Sequence, residues 1–204
     1  MVLDPMKKFR KNLGFTLAEV LITLGIIGVV AAMVLPTLIQ QYHNVKVESQ
    51  LKKIHAVMNQ AIRLSEQENG PKDYWLTQLR TKAGIEKYIL PYLKYMKVTE
   101  DAGSSDKDFV SIYFANGTIL KFSKRWTGQS HFYTVNDENC QRGVCVFIFT
   151  MNGVDYFESN GINNVSAHIK YSVNYGCFVN GTFCAAYIQQ NNWKIPKDYP
   201  WKVR

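Results

Sequence analysis

Between Val20 and Val45 the chain contains no aspartate, glutamate, lysine or arginine, and no cysteine occurs before Cys140. A charge-free run of that length excludes an ordinary solvent-facing helix, which needs a polar side. The late cysteines exclude any thiol or disulfide role for the segments before them. Also lacking are a glycine-rich phosphate loop, a nucleophile motif and a paired-carboxylate motif. The four histidines, His43, His55, His131 and His168, are scattered. No catalytic residue is therefore expected, and the chain does not read as an enzyme. Bulk disorder is excluded by a hydrophobic fraction of 47% and a charged fraction of 20%. At 204 residues the chain has room for one domain with an appendage. Acidic residues are outnumbered, 16 against 24 basic. However, Lys7, Lys8, Arg10 and Lys11 all precede residue 15, opposed there only by Asp4. Without that segment the excess of positive charge shrinks, and with it the case for nucleic-acid binding.

What is present begins with Phe15–Leu35, 21 residues whose only charge is Glu19. As a helix this stretch spans about 31 Å, the thickness of a bilayer's hydrocarbon core. The preceding lysines and arginine place residues 1–14 in the cytoplasm and the bulk of the chain outside. The run is longer than the apolar core of a secretory signal peptide, and Leu35-Pro36-Thr37 is a poor cleavage site. A plain signal anchor fits the length but leaves Glu19 unexplained, since carboxylates are costly in a span. A backbone cut after Gly14 would explain it. Phe15 would gain a free α-amino group one helical turn from Glu19, putting a cation and a carboxylate in one layer.

Lys7-Lys8-Phe9-Arg10-Lys11-Asn12-Leu13-Gly14, followed by Phe15-Thr16-Leu17-Ala18-Glu19-Val20-Leu21-Ile22, resembles the class III leader of type IV pilins and type II secretion pseudopilins. The match covers the leader and roughly the first 40 mature residues. It implies cleavage after Gly14 by the prepilin peptidase, N-methylation of Phe15, an assembly role for Glu19 and a helix-kinking role for Pro36. Met1–Pro5 adds nothing to that leader, and a start at Met6 gives a nine-residue one. The resemblance further implies a subunit that waits in the bacterial inner membrane as a single-pass protein, its head in the periplasm and its span in lipid. It then joins copies of itself or related pilins in a helical filament, a periplasmic pseudopilus or a cell-surface pilus, through an inner-membrane assembly platform. No cofactor is implied.

The apolar run leads into an amphipathic stripe, Val47, Leu51, Ile54, Met58 and Ala61/Ile62, with Lys46, Lys52, Lys53 and Arg63 off it. Asn69-Gly70-Pro71 is a stop signal. One helix is predicted over Thr16–Glu68, about 80 Å long and interrupted at Pro36. Whether that proline only kinks the helix or marks a place that melts on assembly stays open. Gly25 and Gly28 on the span suit close helix packing and equally suit ordinary membrane-helix composition. Residues 73–98 read as one or two short helices, and Thr99–Asp108 as an exposed loop.

From Phe109 the period becomes two. Asn116-Gly117, Asn152-Gly153 and Asn180-Gly181 each separate apolar runs, which predicts three hairpins, the first with a type I′ turn. The fold class is therefore α+β, a pilin-like lollipop whose long helix packs its second half on an antiparallel sheet. The boundaries are 1–14 leader, 15–38 membrane or filament-core helix, 39–70 amphipathic continuation and 71–204 head. The tail, Trp193 to Trp201, is expected to lie across the sheet as an extended strap.

In an oxidising compartment the cysteines should pair. A two-residue turn at Asn180-Gly181 sets Cys177 opposite Cys184, within disulfide reach, which leaves Cys140 with Cys145. Zinc is disfavoured because neither pair has the two-residue spacing of zinc ribbons, and His168 falls in an alternating strand. Asp137-Glu138 and Asp155 with Glu158 have calcium-binding chemistry, yet no EF-hand spacing supports it, so no metal site is expected. Asn116, Asn164 and Asn180 match the N-glycosylation pattern, two of them at turns. Two other function classes fit the same residues. One is a membrane-anchored periplasmic binding module. The other is a DNA-uptake pilin whose Lys121, Lys124 and Arg125 meet phosphates.

Overall fold

The computed structural model describes residues 14–100, 108–137, 139–151 and 157–204. The basic leader, the Asn152-Gly153 turn, Glu138 and Asp155 lie outside them. The chain divides into two compact units, Met1–Ile39 and Gln40–Arg204.

Helix α1, Leu17–Asn69, is helical straight through Pro36, not interrupted there as its sequence suggested. The ring removes one N–H from the ladder, yet its fixed φ is already helical, and a single lost bond leaves the neighbouring turns intact. The helix ends where the stop signal lies. Gly70 adopts the left-handed conformation at φ 78° and its N–H donates to the Glu66 carbonyl at 3.0 Å. Three short 3₁₀ turns (Lys72–Tyr74, Leu76–Arg80, Leu90–Tyr92) and helix α2, Lys82–Tyr88, follow.

Six strands then make an antiparallel sheet in chain order: β1 Lys97–Glu100, β2 Phe109–Tyr113, β3 Ile119–Ser123, β4 Gln129–Tyr133, β5 Val146–Thr150 and β6 Glu158–Ser159. Strand β1 takes Thr99 and Glu100 from the expected loop, and β4, a polar-looking segment, is a strand that its sequence did not announce. In-register residues share a face. One row is Val98, Ile112, Leu120, Phe132 and Phe147, and the next contains Val110, Phe122, Ser130 and Phe149. These rows meet the α1 stripe, Val47, Leu51, Ile54, Met58, Ala61 and Ile62, in one core. Asn59 locks the two layers: its Nδ2 donates to the Phe157 carbonyl at 3.0 Å, and the Phe157 N–H donates to its Oδ1 at 2.9 Å.

The first hairpin differs from its predicted register by one residue. Tyr113 pairs with Ile119, and Phe114 N–H donates to the Thr118 carbonyl, so the loop has three residues with Gly117 at φ 80°. A two-residue turn would have set Ile112 against Lys121. The three-residue loop sets it against Leu120 and keeps the apolar residues on one face, because a one-residue slip turns every side chain over. In the second hairpin Thr150 pairs with Glu158, so the connection is longer than the two residues expected.

The third predicted hairpin is absent. Its residues form helix α4, Cys177–Asn180, and helix α5, Cys184–Gln190, after helix α3, Ser166–Tyr171, which holds His168. Asn180-Gly181 is a helix end here and not a strand turn. Gly181 is left-handed at φ 77°, and a side chain there would collide with the Arg142 backbone.

The tail forms neither helix nor strand and is tied to several elements. Lys194 pairs with Glu48 of α1 at 2.8 Å, and the Ile195 N–H donates to the same carboxylate at 2.9 Å. Tyr199 donates to the Gly143 carbonyl at 2.6 Å, and Trp201 Nε1 to the Cys177 carbonyl at 2.7 Å. Gln40 Nε2 donates to the Val203 carbonyl at 3.3 Å.

Candidate functional site

Among the described residues of the first unit, one chemistry-bearing cluster stands at the start of α1. Thr16 is the residue before the first helical turn and Glu19 lies three positions on. The Thr16 N–H and hydroxyl both donate to Glu19 Oε2 at 2.8 Å, and the Glu19 N–H donates to Thr16 Oγ1 at 3.3 Å. This is a capping box: each side chain satisfies a backbone N–H that the helix leaves unpaired. The signature Thr-x-x-Glu before an apolar run was present in the sequence and went unread beside the leader pattern. Glu19 thus has two donors in its own chain, and neither needs a free Phe15 amine.

Around this cluster the helix is open. Phe15 and Leu17 are 87% and 80% exposed, and nothing lies within 4 Å of where a side chain would stand at Gly14, Gly25 or Gly28. The hydroxyl of Thr23 turns back to the Val20 carbonyl at 3.0 Å, which satisfies that polar group within the helix. Helix α1 is long and apolar enough to cross a membrane, and its most apolar stretch is not buried.

The prokaryotic N-terminal methylation motif matches residues 9–35, and a family of unknown function (DUF6613) matches residues 37–203. The chain belongs to the DUF6613 family. No curated protein and no solved structure matches it. The methylation motif is the class III prepilin leader of type IV pilins and pseudopilins. This DUF6613 protein is accordingly pilin-like, of a structural and not an enzymatic class. Such subunits self-assemble, are processed by a prepilin peptidase and are anchored by an apolar N-terminal helix.

In the DUF6613 head the other candidate residues separate. Among the described residues no three of His, Cys, Asp and Glu cluster as a metal site. His55 packs on Trp193 and His168 on Phe183, on different elements. Asp137 pairs with Arg204 at 2.7 Å. The basic trio is not a free cationic patch. Lys124 holds both Glu100 and Asp108 at 3.0 Å, Lys121 lies over the Tyr133 ring and Arg125 over Trp126. Asn116 and Asn180 accept from the Thr118 and Thr182 N–H groups at 3.2 and 3.1 Å, a turn role for both.

The cysteines pair Cys140–Cys145 and Cys177–Cys184, with Cα separations of 5.7 and 4.5 Å. The two loops touch. Gly143 sits in the first with φ 77°, and a Cβ there would come 2.9 Å from Cys184 Sγ and 2.6 Å from Trp201. The second bond therefore joins two short helices, where cross-strand geometry was expected. Close by, Lys170 of α3 pairs with Asp198 at 2.8 Å and Tyr187 of α5 donates to Asp198 at 2.5 Å. Those bonds hold the Asp198 carboxyl below its usual range. Non-reducing peptide mapping is expected to recover the same two pairs. Replacing Cys177 and Cys184 by serine should cost about 2–3 kcal/mol by the loop-entropy account, read as a lower urea midpoint.

His131 of β4 supplies a pH dependence. Burial, with Arg142 and Lys121 nearby, pushes its imidazole down from 6.5 to about 4. The folded ring stays neutral where the unfolded one takes a proton. The head should therefore be fully stable above about pH 6.5 and lose about 3 kcal/mol from this group as pH falls to about 4. Urea titrations at pH 7 and pH 4 should show this slope reduced by that amount in His131→Phe.

Proposed function

We propose that this chain is a filament subunit of a type IV pilus or a type II secretion-type pseudopilus. Residues 1–14 are its leader, 15–38 its membrane and filament-core helix, 39–70 the amphipathic continuation and 71–204 its head. The peptidase cuts after Gly14, Phe15 is methylated, and the subunit polymerises through α1 on an inner-membrane platform. It stands in the inner membrane with its head in the periplasm before assembly. The observation that carries this reading is the methylation motif on a fully exposed apolar helix that continues into a folded head. In a filament the apolar faces that lipid covers in the free subunit meet other helices, and Gly25 and Gly28 allow close approach there. Pro36, with its missing N–H, is the point where α1 loses helical hydrogen bonding most readily on packing.

Intact mass spectrometry of sheared filaments tests the reading. The expected species begins at Phe15 and carries one methyl group, about 14 Da. Filament-free cells whose protein keeps Met1 or Met6 and stays monomeric in detergent would instead support a membrane-anchored periplasmic binding module.

A further inference from the structure

In the second unit a cavity of about 480 Å³ opens between α1 and the β2–β3 loop, within the size range of small-molecule sites. Its walls are mainly apolar. Ile54 and Val57 line it from α1 and Phe114 from the loop. Lys53 and Lys94 also line it, both on exposed positions, and among the described residues no aspartate or glutamate does. Neither lysine has an ion-pair partner among the described residues, whereas Lys124, Lys170 and Lys194 each hold a carboxylate.

This combination selects a ligand by chemistry. The apolar walls favour a hydrocarbon body. Two ammonium groups beside those walls, with no described carboxylate to meet them, favour one negative charge at its end. Nucleic acid would need a continuous cationic track, which two lysines do not make. We propose that this cavity binds a single-chain anionic amphiphile, a carboxylate-headed acyl chain. Its chain lies on Ile54, Val57 and Phe114, and its carboxylate lies between Lys53 and Lys94.

The test uses the full chain in phosphatidylcholine nanodiscs and a twelve-carbon carboxylic acid bearing a diazirine. After irradiation, peptide mapping should find adducts on peptides from residues 50–60 or 114–118. Labelling there should fall at least about tenfold in the Lys53→Glu, Lys94→Glu double variant, about 1.4 kcal/mol of binding. It should fall equally in Val57→Trp, which fills the cavity and leaves both lysines. The corresponding diazirine alcohol should label about tenfold less than the acid. Lys53 and Lys94 are exposed, so the double variant keeps its fold, checked by the two disulfide pairs. That variant alone decides the matter if Val57→Trp does not fold. Adducts confined to residues 15–39, undiminished labelling in the double variant, or equal labelling by the alcohol would each overturn the proposal. So would preferential labelling by a diazirine phosphatidylglycerol, which has two chains.

Discussion

Subunits carrying Glu19→Gln are expected to be cut and held in the membrane like wild type, yet to fall at least about tenfold short in sheared filaments. The substitution separates two functions of one carboxylate. In the free subunit Glu19 closes a capping box with Thr16. A glutamine at the same position still accepts from the Thr16 N–H, so the start of the helix is preserved. What it loses is charge. In the proposed filament core the carboxylate would be removed from water and need a cation, and the Phe15 amine that a cut after Gly14 would create lies within a helical turn. Supplied by a neighbouring subunit, that amine makes a single axial offset favourable. A tenfold loss corresponds to about 1.4 kcal/mol, modest for a desolvated charge pair. Thr16→Ala is the converse variant. It removes the hydroxyl and keeps the charge, at a cost of about 1 kcal/mol in helix capping, and should assemble nearly normally. Glu19→Val should assemble as poorly as Glu19→Gln, although its span is more apolar. The comparison is filament yield at equal membrane level. If Gln matches wild type while Thr16→Ala fails, the carboxylate serves only to cap the helix.

A second variant, Gly14→Val, should abolish processing. The position is open on every side, with nothing within 4 Å of the place a side chain would take. The substitution therefore costs the folded subunit nothing, and its effect falls on the peptidase. A branched side chain next to the scissile bond crowds any cleft that receives the bond, and misplacement by about 1 Å costs on the order of a hundredfold in rate. The expected outcome is an uncut precursor retained in membranes, without the methyl group and absent from filaments. Immunoblots of membrane and sheared fractions, with intact masses, read both. Normal cleavage of this variant would place the cut elsewhere and remove Phe15 as the source of the amine.

The helix and the core face of the sheet were legible because they depend on periodicity. Val47, Leu51, Ile54, Met58 and Ile62 repeat at helical spacing and all are buried. The alternation in Phe109–Tyr113 and Ile119–Ser123 marks two strands that do pair. What failed were readings that rested on a dipeptide. Asn-Gly at 116–117 lies in a three-residue loop, and Asn-Gly at 180–181 caps a helix, because a left-handed glycine serves both purposes. Strand β4 does not show in the sequence because Gln129, Ser130 and His131 look polar, and only their neighbours in the sheet bury Ser130 and His131. At the candidate site the leader pattern drew attention to charge and hid the capping box. That Lys53 and Lys94 line one cavity was illegible, since only the fold brings residues 53 and 94 to it.

The bonds between the tail and α1 carry a consequence for the order of events in synthesis. Glu48 waits for Lys194 and Ile195, and Gln40 for Val203, partners up to 163 positions later in the chain. Translation at about 5–20 residues per second puts on the order of ten seconds or more between the making of each donor and its acceptor. Throughout that interval this part of the helix lacks its native neighbours, and loop closure over such a separation is slow in itself. If the proposed subunit enters the bilayer as it is made, its anchor is complete while its head is still unfinished.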